Sequence, residues 1–206
     1  MTGLFIAFEG GDASGKTTQA RRIAKLLEAV FTREPGGTVV GESLRTLLLG
    51  SENRLAFRTE ALLMAASRAQ LVEELIRPSL EAAKHVVSDR FIASSLVYQG
   101  YASGLPVDDV RDLSIFATGG LVPDLTILID VPVKLSMSRR TTEPDRFESE
   151  TIEFHERVRN GYLTLAKHAL EPWEVVDGSG SPEQVSQLVD DAISKRLGLL
   201  LGDARS

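Results

Sequence analysis

AFEGGDASGKTTQ, from Ala7 to Gln19, opens on the end of a short apolar run and closes on a segment with helical spacing. Within it, Gly10–Thr17 reads GGDASGKT and matches the pattern G-x-x-x-x-G-K-S/T. A strand before and a helix after are the context in which that pattern cradles phosphate. Gly10 and Gly15 free the backbone to turn, so that the N–H groups of Gly10, Gly11, Asp12, Ala13, Ser14 and Gly15 can face one anion. The helix that follows aims its positive dipole end at the same place. Lys16 is expected to reach the β- and γ-phosphates of a nucleotide, and the Thr17 hydroxyl to ligate Mg²⁺. The cradle serves motors, switches and kinases alike. A guanine-reading N-K-x-D element, which a GTPase switch needs, occurs nowhere in the chain, and this argues for ATP or for a loose base site, and against a switch.

Working outward, apolar runs alternate with helical spacings. Leu4–Phe8 (LFIAF), His85–Asp89 (HVVSD), Leu125–Val131 (LTILIDV) and Trp173–Asp177 (WEVVD) read as strands, with another apolar element before Thr32. Between them, Ala20–Ile23–Leu27 and Leu62–Ala66–Ala69–Val72 repeat at three and four residues. Pro78 is expected to end or kink the second of these helices. Ser181, Pro182 and Gln184 form a helix-start signature in which Ser181 caps, Pro182 begins the helix and Gln184 closes the box. The predicted fold is one α/β domain over residues 1–206. It has a central parallel sheet of about five strands covered by helices on both faces, the three-layer arrangement of the P-loop NTPases. The last residues, LLLGDARS, read as a fraying tail.

Composition narrows the function. The 206 residues are 43% apolar and 25% charged, ordinary globular values. The absence of cysteine rules out disulfides, thiolate chemistry and cysteine-held metals. Net charge is −6, so no overall basic field exists to hold a nucleic-acid polymer or an anionic membrane. No stretch approaches the roughly 20 apolar residues of a membrane span. The first residues have no basic region of the kind that begins a secretory signal. A cytoplasmic protein is expected. The three histidines are scattered and offer no ligand spacing.

Two further stretches carry chemistry. TREPGGT, Thr32–Thr38, puts Arg33, Glu34 and Pro35 at the end of a strand, where open α/β sheets bind ligands; read alone, Pro35-Gly36-Gly37 is also an ordinary turn. SDRFIASSLVYQG, Ser88–Gly100, puts Asp89 and Arg90 at the end of another strand. An arginine there suits a bidentate grip on phosphate, although a structural ion pair is the commoner use of a lone Asp-Arg.

Taken together, FEGGDASGKTTQ, TREPGGT, GESLRTLLL, DRFIASSLVYQG, FATGGLVPDLTILIDV and DRFESETIEFHERVRNGYLTLA resemble the thymidylate kinase family in order and spacing, from Phe5 to about Ile193. The resemblance implies ATP-dependent phosphorylation of dTMP to dTDP with Mg²⁺, on the route to dTTP, by a homodimer. It implies that Asp12 contacts the deoxyribose and that Glu34 and Pro35 line the acceptor pocket. Arg45 and Arg90 would bind the acceptor phosphate, and Arg68 would hydrogen-bond thymine, with Ser95 and Gln99 near its polar edge. Tyr98 would lie under the sugar, where a ribose hydroxyl would clash, and Asp89 would help hold Mg²⁺. Residues 139–150 would form a lid over ATP, with Arg139, Arg140 and Arg146 supplying cations to the donor side. Ala13 in the cradle together with this basic lid resembles the bacterial branch. The chain departs from the family pattern at Met64, which replaces an aromatic expected to stack on thymine, and at Ser67 and Phe91. The loop Asp177–Ser181 is either part of the adenine pocket or a plain turn.

Overall fold

The computed structural model describes residues 3–50, 54–140 and 145–199. Pro144, nearly all of the carboxyl-terminal tail and residues 141–144 of the expected lid lie outside the described residues. Among the described residues there are five strands: β1 (Phe5–Glu9), β2 (Val30–Arg33), β3 (Val86–Asp89), β4 (Leu125–Asp130) and β5 (Trp173–Asp177). They form one sheet in the order β2-β3-β1-β4-β5, and every pairing is parallel. The expected architecture is therefore present, with strand ends displaced by one residue at β1, β3 and β4.

The register explains why β1 reads as an unbroken apolar run. It pairs on both edges, Phe8 lying opposite Asp89 on one side and Ile127 on the other. It is also covered on both faces, so all five of its residues are buried. Ile6 and Phe8 pack with Ile127 and Ile129 beneath α1 (Lys16–Leu26) and α9 (Pro182–Leu197). Phe5 and Ala7 face the opposite layer, with Leu71, Ile76 and Phe91. That second layer holds α2 (Val39–Leu49), α3 (Phe57–Leu71), α4 (Arg77–Glu81), α5 (Ile92–Ser95), α6 (Val107–Thr118) and α8 (Ile152–His168). The short α7 (Val133–Ser138) follows β4.

Pro78 neither ends nor breaks its helix. The helical run continues from α3 to Glu81, through a π-helical stretch at Val72–Ile76 immediately before the proline. Within it the Arg77 N–H reaches back five residues to the Val72 carbonyl. A wider turn relieves the clash that a proline ring makes with the preceding turn. A second π-helical stretch, Leu96–Ala102, continues α5 and carries Tyr98 and Gln99. The Ser181 cap forms as expected: its hydroxyl accepts from the Gln184 N–H and the Gln184 side chain accepts from the Ser181 N–H.

Candidate active site

The site lies at the carboxyl ends of β1, β3 and β4, where chain connections leave the sheet in opposite directions. The cradle joins β1 to α1. Gly10 has φ 147°, and a Cβ there would lie 2.6 Å from the Ile129 carbonyl oxygen, so no other residue fits. Gly15 has φ 89° and Ala13 has φ 55°, which bends the loop into a concave run of N–H groups. Lys16 is buried and donates to the Gly11 carbonyl at 3.1 Å. Burial and the neighbouring Arg90 charge hold the Lys16 pKa below its ordinary value. An anion at this point would reverse that effect.

Thr17 donates to Asp89 Oδ2 at 2.5 Å. The other carboxylate oxygen, Asp89 Oδ1, is buried without a protein partner, as is the Ser14 hydroxyl. A hydroxyl and a carboxylate oxygen set side by side, with an unpaired oxygen remaining, make an oxygen-only donor set that fits a hard cation.

Next to the cradle is a cavity of about 200 Å³. Asp12, Lys16 and Thr17 form one side, Glu34, Pro35 and Arg45 another, and Met64 and Arg68 rise from α3. Asp89, Arg90, Ser95, Tyr98 and Gln99 complete the set singled out in the sequence. The fold thus gathers these residues from the cradle loop and α1, the ends of β2 and β3, α2, α3, α5 and the second π-helical stretch. Arg33, placed beside Glu34 in the sequence, lines the cavity too, and the sequence reading missed Leu49, Ser94, Asp145, Phe147 and Glu148, which also line it.

Arg90 is the hub. Its backbone adopts φ 77°, unusual outside glycine. Its guanidinium donates to Asp12 Oδ1 at 2.6 Å, the Gly10 carbonyl at 3.1 Å, Ser94 and Tyr162 at 3.0 Å, and Tyr98 at 3.2 Å. Tyr98 donates in turn to Asp12 Oδ2 at 3.0 Å. Burial opposes ionisation of Asp12, but Arg90 and Lys16 outweigh it and hold the carboxyl below its usual range. Behind Arg90, fully buried Glu9 accepts from the N–H of Phe91 at 2.8 Å, the Ser94 hydroxyl at 2.7 Å and the Tyr162 hydroxyl at 3.0 Å. Glu9 therefore fixes the chain where Arg90 turns. Its burial pushes its carboxyl up, against the bonds it accepts. Its signal in the sequence was a charge ending an otherwise apolar strand.

Arg68 is 2% exposed. It forms an ion pair with Glu34 at 2.7 Å and donates to the Phe91 carbonyl, Ser95 and Ser114. It is not the solvated helix arginine that its position on α3 would allow. Arg45 donates to the Pro35 carbonyl at 2.8 Å, and burial together with the nearby Arg33 charge lowers its pKa.

The three arginines of the expected lid are not brought together. Arg139 donates to the carbonyls of Gly178, Ser179 and Gly180, tying the end of α7 to the loop after β5. Arg140 donates to the Glu148 carbonyl at 2.6 Å. Arg146 pairs with Glu60 at 2.6 Å. A fourth arginine near the cradle, unnoticed in the sequence, is Arg159 on α8; it grips Asp130 with two bonds of 2.7 and 2.8 Å. A small recess below the cradle is lined by Gly11, Ser14, Asp130, His155 and Arg159.

A phosphate cradle and a polar cavity that share Asp12 and Lys16, with Arg90 of the cavity wall bonded to the cradle, are what a kinase of small nucleotides requires. The family model described as thymidylate kinase matches residues 8–189. The chain belongs to the thymidylate kinase family. The thymidylate kinase of Symbiobacterium thermophilum is 46% identical over 204 residues, covering 94% of this chain and 95% of the relative. That of Kosmotoga olearia is 47% identical over 193 residues, covering 90% and 93%. Among solved structures, the crystal structure of thymidylate kinase from Ehrlichia chaffeensis aligns with TM-score 0.77 at 33% identity, over 94% of this chain and 99% of that one. As a thymidylate kinase, the protein transfers a phosphoryl group from ATP to dTMP on the route to dTTP.

Proposed function

We propose that the cradle holds ATP, that the adjoining cavity holds dTMP, and that Asp12, Lys16 and Arg90 stand at the line of transfer. The observation that carries this reading is the 2.6 Å bond between Arg90, in the cavity wall, and Asp12, in the cradle loop. On this reading, an acceptor-side cation adjoins the loop that would hold the donor phosphates. The second pKa of a phosphate monoester is about 6, so the attacking oxygen is already ionised at neutral pH and needs no base. The task is to align two polyanions and offset their repulsion. Arg45 and Arg90 serve the acceptor phosphate, and Lys16 serves the transferring group. Arg68 and Glu34, with Ser95 and Gln99, read the base, while Met64 offers it a thioether surface. Tyr98, bonded to Asp12, closes the sugar side. Thr17 and Asp89 would hold Mg²⁺, which supplies charge neutralisation between the β- and γ-phosphates. Arg139, Arg140 and Arg146 are assigned to the donor side within the segment 139–150, through the chain they anchor as well as through charge.

The proposed assembly is a homodimer. Phe116 is 86% exposed and Val39 83%, and Leu62, Phe57 and Leu47 are also exposed. These residues lie on α2, α3 and α6, of which α2 and α6 each pack on α3. Among the described residues no helix is long and apolar enough to cross a membrane. Its substrates are nucleotides of the cytoplasm, and the proposed place of action is there.

The test is ADP production with MgATP against dTMP, dUMP, UMP, CMP, AMP, GMP and thymidine. Strong preference for dTMP is expected; equal use of dUMP would overturn the role given to the base-reading residues, and ADP formed without acceptor would overturn the transfer. In the same assay Arg90→Ala is expected to lose turnover by about 100-fold or more while remaining folded by circular dichroism.

A further inference from the structure

Glu60 stands outside the machinery described so far, yet both oxygens of its buried carboxylate are hydrogen-bonded. It lies in the first turn of α3 and is 1% exposed. Among the described residues each oxygen has one donor, and the two donors belong to different parts of the molecule. Gln99 of the cavity wall donates to Oε1 at 2.8 Å. Arg146, 86 residues along the chain, donates to Oε2 at 2.6 Å. Arg146 also donates to the Leu48 carbonyl at the end of α2 and lies over the Phe147 ring at 4.3 Å from its centroid. That ring meets Tyr98 edge-on at 5.6 Å. Asp145, Phe147 and Glu148 line the cavity while Arg146, among them, turns away to Glu60.

We infer that Glu60 is a positioning residue that couples acceptor occupancy to the seating of the turn Asp145–Glu148, and through it to the donor side. The inference rests on the reading of the cavity as the dTMP site. A buried carboxylate tolerates the loss of one charged partner poorly, since the remaining charge is left without compensation. The Gln99 and Arg146 bonds therefore support each other. A nucleotide in the cavity orders Gln99, Tyr98 and Phe147, which favours the state in which Arg146 is seated. By reciprocity, whatever a seated turn contributes to ATP binding returns as tighter dTMP binding. Arg146 then acts through its anchorage to Glu60.

Calorimetry decides it. The Kd of dTMP is measured alone and with saturating Mg²⁺–adenylyl imidodiphosphate, and the ratio of the two is the coupling. In the wild type dTMP is expected to tighten on the order of tenfold. In Glu60→Gln the ratio is expected to fall toward 1, while the Kd of the analogue measured without dTMP is unchanged; a merely structural role would instead lower the melting temperature and weaken both ligands together. Should Glu60→Gln fail to fold, Arg146→Met, at a more exposed position, is expected to lower the ratio equally. A wild-type ratio of 1, or a ratio unaltered in the folded variant, overturns the coupling. Arg68→Ala is the separate control: dTMP binding as tight as in the wild type would overturn the assignment of the cavity itself.

Discussion

The Arg68–Glu34 pair has both side chains out of water, and its behaviour decides how the cavity responds to pH. Burial pushes the Glu34 carboxyl up to about 7, although the Arg68 guanidinium bonded to it pulls the other way. The folded state thus holds this proton more tightly than the unfolded chain, whose glutamate titrates near 4.5. The stabilising contribution is complete below 4.5 and is lost as pH rises through 7. Comparing melting temperatures of wild type and Glu34→Gln from pH 5 to 8 should show the wild-type advantage shrinking across that range. A flat difference would mean that Arg68 keeps the carboxyl ionised throughout. The partner variant carries the opposite dependence: Arg68→Ala should cost about 3–5 kcal/mol at pH 8, where it strands a buried charge, and less at pH 5, where Glu34 is protonated. Urea denaturation at the two pH values measures both figures. Glu9 and Asp12 show the same contest between burial and partners with opposite results, because Asp12 faces two cations directly while Glu9 receives mostly neutral donors.

At the scale of elements, α9 illustrates how much local sequence can specify. Ser181, Pro182 and Gln184 set its start, and Val185, Val189 and Ile193 seat it against β4 and β5. Ser181→Ala removes one cap bond and should cost about 1 kcal/mol in urea denaturation, with the m-value unchanged; a cost near zero would show that Gln184 and the proline suffice. The same local legibility covers the strands, because an element buried on both faces must be continuously apolar, as Phe5–Glu9 is up to its last residue. It covers Gly10 and Gly15 too, where backbone geometry dictates the residue. Legibility ends where two distant segments meet. Glu60 is an unremarkable charge in sequence and Arg146 reads there only as a lid cation, and only packing makes them a pair. Arg159 with Asp130 and Tyr162 with Glu9 were invisible for the same reason. The response to Pro78 was invisible differently: a helix can widen one turn rather than stop, and tertiary packing of Leu71, Val72 and Ile76 in the core favours keeping it.

At the scale of the molecule, the acidic net charge and the local clustering of arginines belong together. A chain of net charge −6 repels free nucleotides at long range, so its capture of two polyanions depends on short-range groups at one end of the sheet. Concentrating function there leaves α2, α3 and α6 free to carry the apolar residues Val39, Leu62 and Phe116 on the outside. Large exposed apolar side chains on α2, α3 and α6 are what the proposed homodimer would cover, a second copy of the chain meeting the same patch with closed symmetry. The protein should therefore sediment at twice the chain mass at micromolar concentration. Phe116→Glu places a charge where the partner would bury a ring, and should shift sedimentation to the mass of one chain. Because each cavity is lined from within one chain, the monomeric variant should still bind dTMP, with affinity reduced only as far as α3, which bears Met64 and Arg68, loses support. Wild type sedimenting as one chain would sink the interface, and a dimeric Phe116→Glu would move it to another face.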